Sequence, residues 1–222
     1  MLEAYERVRN EKGISKEAVV FATRSIVDPE DKAFLEPTKP IGAVFEEKDA
    51  KKLMENNGWR MSRTERGWRR VVPSPMPIEI VERNAIVSLL RSGFLPICTG
   101  GGGIPVICKD KTLVGVEAVI DKDLASSVLA TSVDAHKLAI LTDVKNVFLN
   151  YGKPDQVALS KITVDEAKEY MSKGFFGTGS MEPKVRAAIR FVEKGGKEAI
   201  IGNLSDALGV LNGKSGTSIT GS

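Results

Sequence analysis

Short apolar runs of strand length, LAIL at 138–141 and AII at 199–201, alternate in this chain with helical patterns such as DLASSVLATSV and SMEPKVRAAIRFVEKGG. Runs without polar alternation suit strands buried on both faces, and a parallel sheet covered by helices on each side is the architecture that requires them. The expected fold is therefore α/β, a three-layer αβα sandwich with a mainly parallel central sheet. With 222 residues, 42% of them hydrophobic, the chain can bury a substantial core, and one larger domain with an appendage fits that length.

The order of patterns locates the appendage. A charged helix at 2–12 stops at Gly13, AVVFATRSIVD (18–28) reads as one strand, and PEDKAFLEPTKPIG then loses periodicity among its prolines. Up to Pro77 the composition is charged and basic, a helix EEKDAKKLMENNG followed by two short segments hinged at Gly67. This predicts a main domain from 1–28 and 78–222 and an inserted, projecting subdomain from 29–77. After it, IEIVERNAIVSLLRSG (78–93) reads as an amphipathic helix, FLPICT as a strand, and PVICKDKTLVGVEAVID, with the polar KDK between apolar runs, as a hairpin. ITVDEAKEYMSKG opens with a capping box from Thr163 to Glu166.

Charge and cysteine usage exclude several classes. Lys and Arg number 32 against 29 Asp and Glu, so the net charge of +3 does not by itself mark a nucleic-acid surface. Cys98 and Cys108 lack CxxC spacing and histidine companions, which points away from zinc and disulfides and toward a cytoplasmic setting. No apolar stretch approaches the length of a membrane span. His136, the one histidine, has no Ser or Cys arrangement that would make it a general base.

Four glycines, Gly100, Gly101, Gly102 and Gly103, follow the apolar run FLPIC. They match neither a Walker loop, which ends in Gly-Lys-Ser/Thr, nor a dinucleotide fingerprint, which needs glycine where Pro105 or Val106 stands. Two readings stand: amides converging on an anion at the carboxyl end of a strand, or a surface loop. The triplet Asp121-Lys122-Asp123 likewise reads as a phosphoryl-facing lysine between orienting acids or as a solvated turn. Lys184 lies in the first turn of a helix with Ser180 as a candidate N-cap, where a cation opposes the macrodipole unless an anion binds there. Lys39, between Thr38 and Pro40, is either presented to a site by a stiff segment or is a linker lysine. The cluster Arg60, Arg63, Arg66, Arg69 and Arg70 with Trp59 and Trp68 admits nucleic-acid stacking, though neighbouring glutamates favour a folded subdomain surface.

Taken in order, EPTKPIG, RGWRRVVPSP, TGGGGIPV, VIDKDLAS, LTDV and GSMEPKV resemble carbamate kinase, of the amino acid kinase superfamily, along essentially the whole chain. The resemblance implies reversible phosphoryl transfer between carbamoyl phosphate with MgADP and carbamate with MgATP, in a homodimer. It implies that Lys122 and Lys184 neutralise the transferring phosphoryl, that Asp121 holds the lysines, and that Lys39 reaches in from the projecting subdomain. Gly100 to Gly103 would line the substrate side, and Thr142, Asp143, Ser180 and Met181 the nucleotide side. Magnesium would arrive with ATP or ADP and no metal site is expected in the chain itself. Phosphoryl transfer is mostly positioning and electrostatic stabilisation, so no nucleophilic side chain is required.

The sequence departs from the family at two places. A preceding stretch with a Gly-Gly-Asn-Ala turn and a Gly-Asn-Gly-Pro segment, both at the phosphoryl site, is not in these residues. Glu182 stands where glycine is usual, beside Lys184, and Ala43-Val44 replaces a usual Pro-Phe pair. The expectation that follows is a carbamate kinase-like enzyme lacking the family's first strands. Its alternative is a catalytically impaired relative that binds nucleotide or dimerises.

Overall fold

The computed structural model describes residues 1–177 and 181–221. It divides into two compact units, Met1–Glu82 with Leu95–Lys122, and Arg83–Phe94 with Asp123–Ser222. The first contains α1 (Leu2–Lys12), β1 (Ala18–Val20), β2 (Arg24–Val27), β3 (Lys39–Phe45), α2 (Glu47–Asn57), β4 (Met61–Thr64), β5 (Gly67–Val72) and β6 (Pro77–Ile80). The chain later returns to it as β7 (Leu95–Ile97), β8 (Ile104–Lys109) and β9 (Thr112–Gly115).

Two parallel pairings organise this unit: β1 with β7, and β2 with β8. Antiparallel β6 and β9 flank the second pair in the order β6-β2-β8-β9. Strands β3, β5 and β4 form a separate antiparallel sheet on which α2 packs, inside the segment expected to project. The hairpin of β8 and β9 turns at Asp110 and Lys111, both left-handed (φ 49 and 62), the conformation a two-residue turn needs to match strand twist.

Two sequence expectations are corrected here. The run AVVFATRSIVD is two strands, β1 and β2, broken at 21–23. Phe21 still donates its amide to Ile97, but buried Thr23 turns to the glycine loop, and the chain passes from one strand pair to the next. Residues 78–93 are likewise not one helix. Residues 77–80 form β6, which runs antiparallel to β2 across an irregular register and buries Pro77 and Ile80 at its ends while Ile78 is exposed. Glu82 marks the end of that strand: its carboxylate accepts from the Arg24 amide at 2.8 Å and from Arg24 Nε at 2.7 Å. Burial disfavours the Glu82 charge, but those two donors outweigh it and hold the pKa below the ordinary value.

The second unit contains α3 (Arg83–Arg91), α4 (Lys122–Ser132, its first residue belonging to the first unit), β10 (Lys137–Thr142), β11 (Val147–Leu149), β12 (Val157–Leu159) and β13 (Lys161–Thr163). It continues with α5 (Val164–Ser172), α6 (Met181–Glu193), β14 (Glu198–Asn203), α7 (Ala207–Leu211) and β15 (Thr217–Thr220). The sheet order is β10-β14-β15-β13, with β10 parallel to β14 and β13 parallel to β15. The expectation for AII holds: Ala199 to Gly202 of β14 are all buried, and both α6 and α7 pack on that strand. Phe191 of α6 and Val210 of α7 are fully buried, and truncating a phenylalanine in such a place costs about 3–5 kcal/mol. The predicted capping box is present, Thr163 Oγ1 accepting from the Glu166 amide and the Glu166 carboxylate from the Thr163 amide. Among the described residues no helix is long and apolar enough to cross a membrane.

Glu198 joins three strands of this sheet. Ser218 of β15 donates to its carboxylate at 2.7 Å and Lys137 of β10 pairs with it at 3.0 Å. The Ser218 hydroxyl first, and Lys137 next, hold the Glu198 pKa below its ordinary value against the opposing effect of burial. A lowered native pKa means that the stabilisation is complete above the unfolded value of about 4.3 and is lost as pH falls through the native one. Glu198→Gln is therefore expected to lower stability by about 0.5–1 kcal/mol at pH 7, the range of a partly exposed pair. Urea midpoints of the two proteins should converge between pH 5 and the acid-unfolding limit; a constant difference would refute the assignment.

Candidate active site

The tetraglycine is built into the first unit rather than hanging from it. It sits where the chain leaves β7 and enters β8, opposite the break between β1 and β2 that their parallel partners share. Thr99, left-handed at φ 53, donates its amide to Thr23 Oγ1 at 3.0 Å, and Ile104 donates to the Thr23 carbonyl at 2.8 Å. Buried Ser25 donates its hydroxyl to the Gly102 carbonyl at 2.7 Å. A Cβ on Gly102 would lie 2.2 Å from the Ile120 carbonyl oxygen, and one on Gly103 would lie 2.7 Å from Ser25 Oγ. These two glycines are demanded by packing.

Gly100 and Gly101 differ: both are exposed, and a Cβ on either would meet nothing within 4 Å. The amides of Gly102 and Gly103 are engaged within the loop, bonded to the carbonyls of Thr99 and Gly100. Any anion taken up by this loop would meet its outer half. The loop packs directly against Ile120, the residue before the charged triplet.

In that triplet Asp121 and Asp123 are buried, at 8% and 7% exposure, while Lys122 between them is exposed. Lys39 Nζ lies 2.7 Å from Asp121 Oδ2, and Lys184 Nζ lies 2.9 Å from Asp123 Oδ2. The first pair is internal to the first unit and the second to the second. Asp121 is thus paired with Lys39, and Asp123 with Lys184. Buried carboxylates of this kind require a partner, because an uncompensated buried charge costs several kcal/mol.

Helix α6 supplies Lys184 from its first turn, and Lys184 is itself only 13% exposed at the side chain. Glu182, the departure expected to bear on that lysine, instead accepts from Arg186 one turn further along. Ser180, the expected N-cap of this helix, lies outside the described residues.

A cavity of about 360 Å³ within the second unit gathers the remaining expected residues, Thr142, Asp143 and Met181. Thr142 ends β10, its hydroxyl 3.1 Å from Asp143 Oδ1, and Met181 opens α6. The same cavity is lined by Phe148, Asn150, Tyr151, Lys153 and the segment Gly174 to Gly177. The Phe148 and Tyr151 rings lie 5.7 Å apart, tilted by 47°. Flat apolar faces with a carboxylate, an amide and an ammonium at the rim suit a heteroaromatic ring bearing charged substituents. The run VFLNYG has the residue types of a strand, and an aromatic pair bracketing Asn150, left-handed at φ 52, is the one sequence signal for this lining.

Burial pushes the Cys98 thiol above its ordinary pKa, so no thiolate is poised beside the glycine loop. His136 is exposed, and among the described residues no group of three His, Cys, Asp or Glu is placed to hold a metal ion.

An α/β fold with a glycine loop after β7 and lysine–aspartate pairs beside the start of α4 suits the handling of phosphoryl groups, and residues 38–203 match the family model described as the amino acid kinase family. A carbamate kinase from Thermoplasma volcanium is 48% identical over 219 residues, 99% of this chain and 72% of that protein. One from Thermococcus kodakarensis is 51% identical over 209 residues, covering 94% of this chain and 66% of that protein. The solved carbamate kinase from Giardia lamblia bound to AMP-PNP superposes with a TM-score of 0.89 at 46% identity, over 100% of this chain and 71% of its own. The chain belongs to the amino acid kinase family and, within it, to the carbamate kinases.

Proposed function

We propose that the protein is a carbamate kinase-type phosphotransferase, moving a phosphoryl group reversibly between carbamoyl phosphate with MgADP and carbamate with MgATP. The observation that carries this reading is the triplet 121–123, in which two buried aspartates each hold a lysine and flank an exposed third one. Three ammonium groups, two of them oriented by ion pairs, are what a reaction needs when its barrier lies in phosphoryl charge and alignment.

In this reading Lys122 and Lys184 neutralise the phosphoryl oxygens. Asp121 and Asp123 act as positioning residues, and Lys39 is presented from the segment 29–77 acting as a lid. Gly100 and Gly101 offer the outer face of their loop to the carbamoyl side, and the cavity at Thr142, Asp143 and Met181 takes the nucleotide; Ser180, outside the described residues, is assigned to the nucleotide by the resemblance alone. Magnesium enters as part of the nucleotide substrate, bound chiefly by phosphate oxygens, which agrees with carboxylates already committed to lysines. A homodimer in a cytoplasmic setting belongs to the same reading and rests on the resemblance.

The test is ATP formation from carbamoyl phosphate and MgADP, coupled to a reporter reaction. Turnover of about 1–100 s⁻¹ is expected, the usual range for kinases. Folded protein without turnover would overturn the proposal. ADP binding by calorimetry in that inactive protein would then favour the nucleotide-binding relative.

A further inference from the structure

A second cavity, about 350 Å³, lies wholly within the first unit and apart from every residue assigned above. Its wall is the sheet of β3 and β5, where Lys39 is registered with Val72 and Ile41 with Arg70. Side chains two apart on a strand share a face, so Ile41, Arg70 and Val72 line the cavity from the face that also carries Lys39.

Two of the charged side chains at this cavity are cationic, Arg60 and Arg70. Arg70 lies over the Trp59 ring, its guanidinium carbon 4.6 Å from the centroid. That stacking fixes the plane and leaves the N–H edges for a planar acceptor. Among the described residues no carboxylate pairs with Arg70. Arg60 lines the same cavity, anchored by one Nη1 hydrogen bond of 2.7 Å to the Leu35 carbonyl.

The rest of the lining is largely hydrocarbon, with Pro73 just beyond β5 and Ala118 and Val119 from the chain's later return to this unit. Two guanidinium groups select an anion, and the apolar walls select one that carries a hydrocarbon body. Exposed Glu117 at the same cavity disfavours a second negative charge on that ligand.

We propose that this cavity binds a small organic monocarboxylate and through it adjusts the Lys39–Asp121 pair. The coupling is short. Pro37 and Ile41 of the lining stand two residues either side of Lys39, and Val119 stands two before Asp121. The Val119 amide also donates to the Pro73 carbonyl at 2.9 Å, so the segment leading to Asp121 is tied to the cavity wall just beyond β5. A ligand that spreads or clamps this wall shifts where the ammonium of Lys39 is held. The binding part stands by itself; only the coupling part rests on the proposed kinase activity.

Isothermal calorimetry with sodium benzoate and sodium hexanoate, against inorganic phosphate at equal ionic strength, tests the binding. A saturable isotherm is expected for the two carboxylates, at least tenfold tighter than for phosphate. Arg70→Met should weaken it about tenfold or more, and Glu117→Gln, an exposed change that leaves the fold alone, should tighten it two- to threefold. No saturable binding, equal binding of phosphate, or indifference to both substitutions would overturn the site. In the coupled assay, saturating benzoate should shift the KM for carbamoyl phosphate by threefold or more, and an unchanged KM with benzoate bound would overturn the coupling. A protein that shows no turnover leaves the calorimetric result decisive, so failure of the site and failure of the activity are told apart.

Discussion

Lys122→Ala is expected to reduce ATP formation from carbamoyl phosphate and ADP by about 10³-fold in kcat while leaving the protein as stable as before. The size follows from deleting one preorganised charge aimed at a developing phosphoryl charge, an interaction of the kind worth 10²–10³ in rate or more. The stability follows from exposure: Lys122 is solvent-facing between two buried neighbours. Lys184→Ala is the less informative variant, because it strands Asp123, 7% exposed, without its ammonium partner. Breaking a buried pair by removing one member costs about 3–5 kcal/mol, so lost activity there would be mixed with lost fold. The measurements are kcat in the coupled assay and ADP affinity by calorimetry, the latter holding within tenfold. Activity of Lys122→Ala within tenfold of the parent would remove Lys122 from the reaction.

Gly102→Ala carries the second large effect, and its contrast with Gly100→Ala is the sharper test. At Gly102 the backbone is at φ 94, and the added methyl would lie 2.2 Å from the Ile120 carbonyl oxygen and 2.7 Å from its carbon. Neither atom is the end of a flexible side chain, so the loop or the segment into Asp121 must move. A left-handed alanine costs roughly 1–2 kcal/mol and overpacking roughly 1–3 more, giving a destabilisation of about 3 kcal/mol. Displacing Asp121 by even an ångström would misplace Lys39, at a cost of about 10² in turnover. Gly100→Ala meets open space and is expected to be neutral, or slightly stabilising through the unfolded chain. Urea midpoints of the two variants decide the matter; equal midpoints would mean that the loop does not pack on Ile120.

Features legible in the sequence were those with a local physical cause. The capping box at Thr163, the hairpin turn at Asp110-Lys111 and the doubly buried strand at Ala199 to Gly202 each follow from residues within a few positions of one another. The misreadings were of longer range. IEI at 78–80 carries both a helical and a strand period, and only pairing with β2, fifty residues earlier in the chain, favours the strand. AVVFATRSIVD has no internal signal for its break, because the break is set by Thr23 meeting Thr99 and Ile104.

The same limit governs the site. Lys39, Lys122 and Lys184 were recognisable by motif, but which aspartate each would meet depends on contacts spanning 82 and 61 residues. Glu182 illustrates the converse: in sequence it adjoins Lys184, whereas helical geometry turns it to Arg186. The aromatic lining at Phe148 and Tyr151 lay hidden in a stretch whose period said only strand.

The pairing of two aspartates with two lysines also sets how the substrates come and go. Three positive and two negative charges leave the triplet and its partner lysines with a net charge of one, so they cast little field beyond the ion pairs themselves. A polyanionic nucleotide is then not drawn in from a distance, and its association rate should vary little with ionic strength. Release benefits from the same restraint. In the proposed transfer, a departing product phosphate would leave Lys39 and Lys184 beside carboxylates already in contact with them, which eases release.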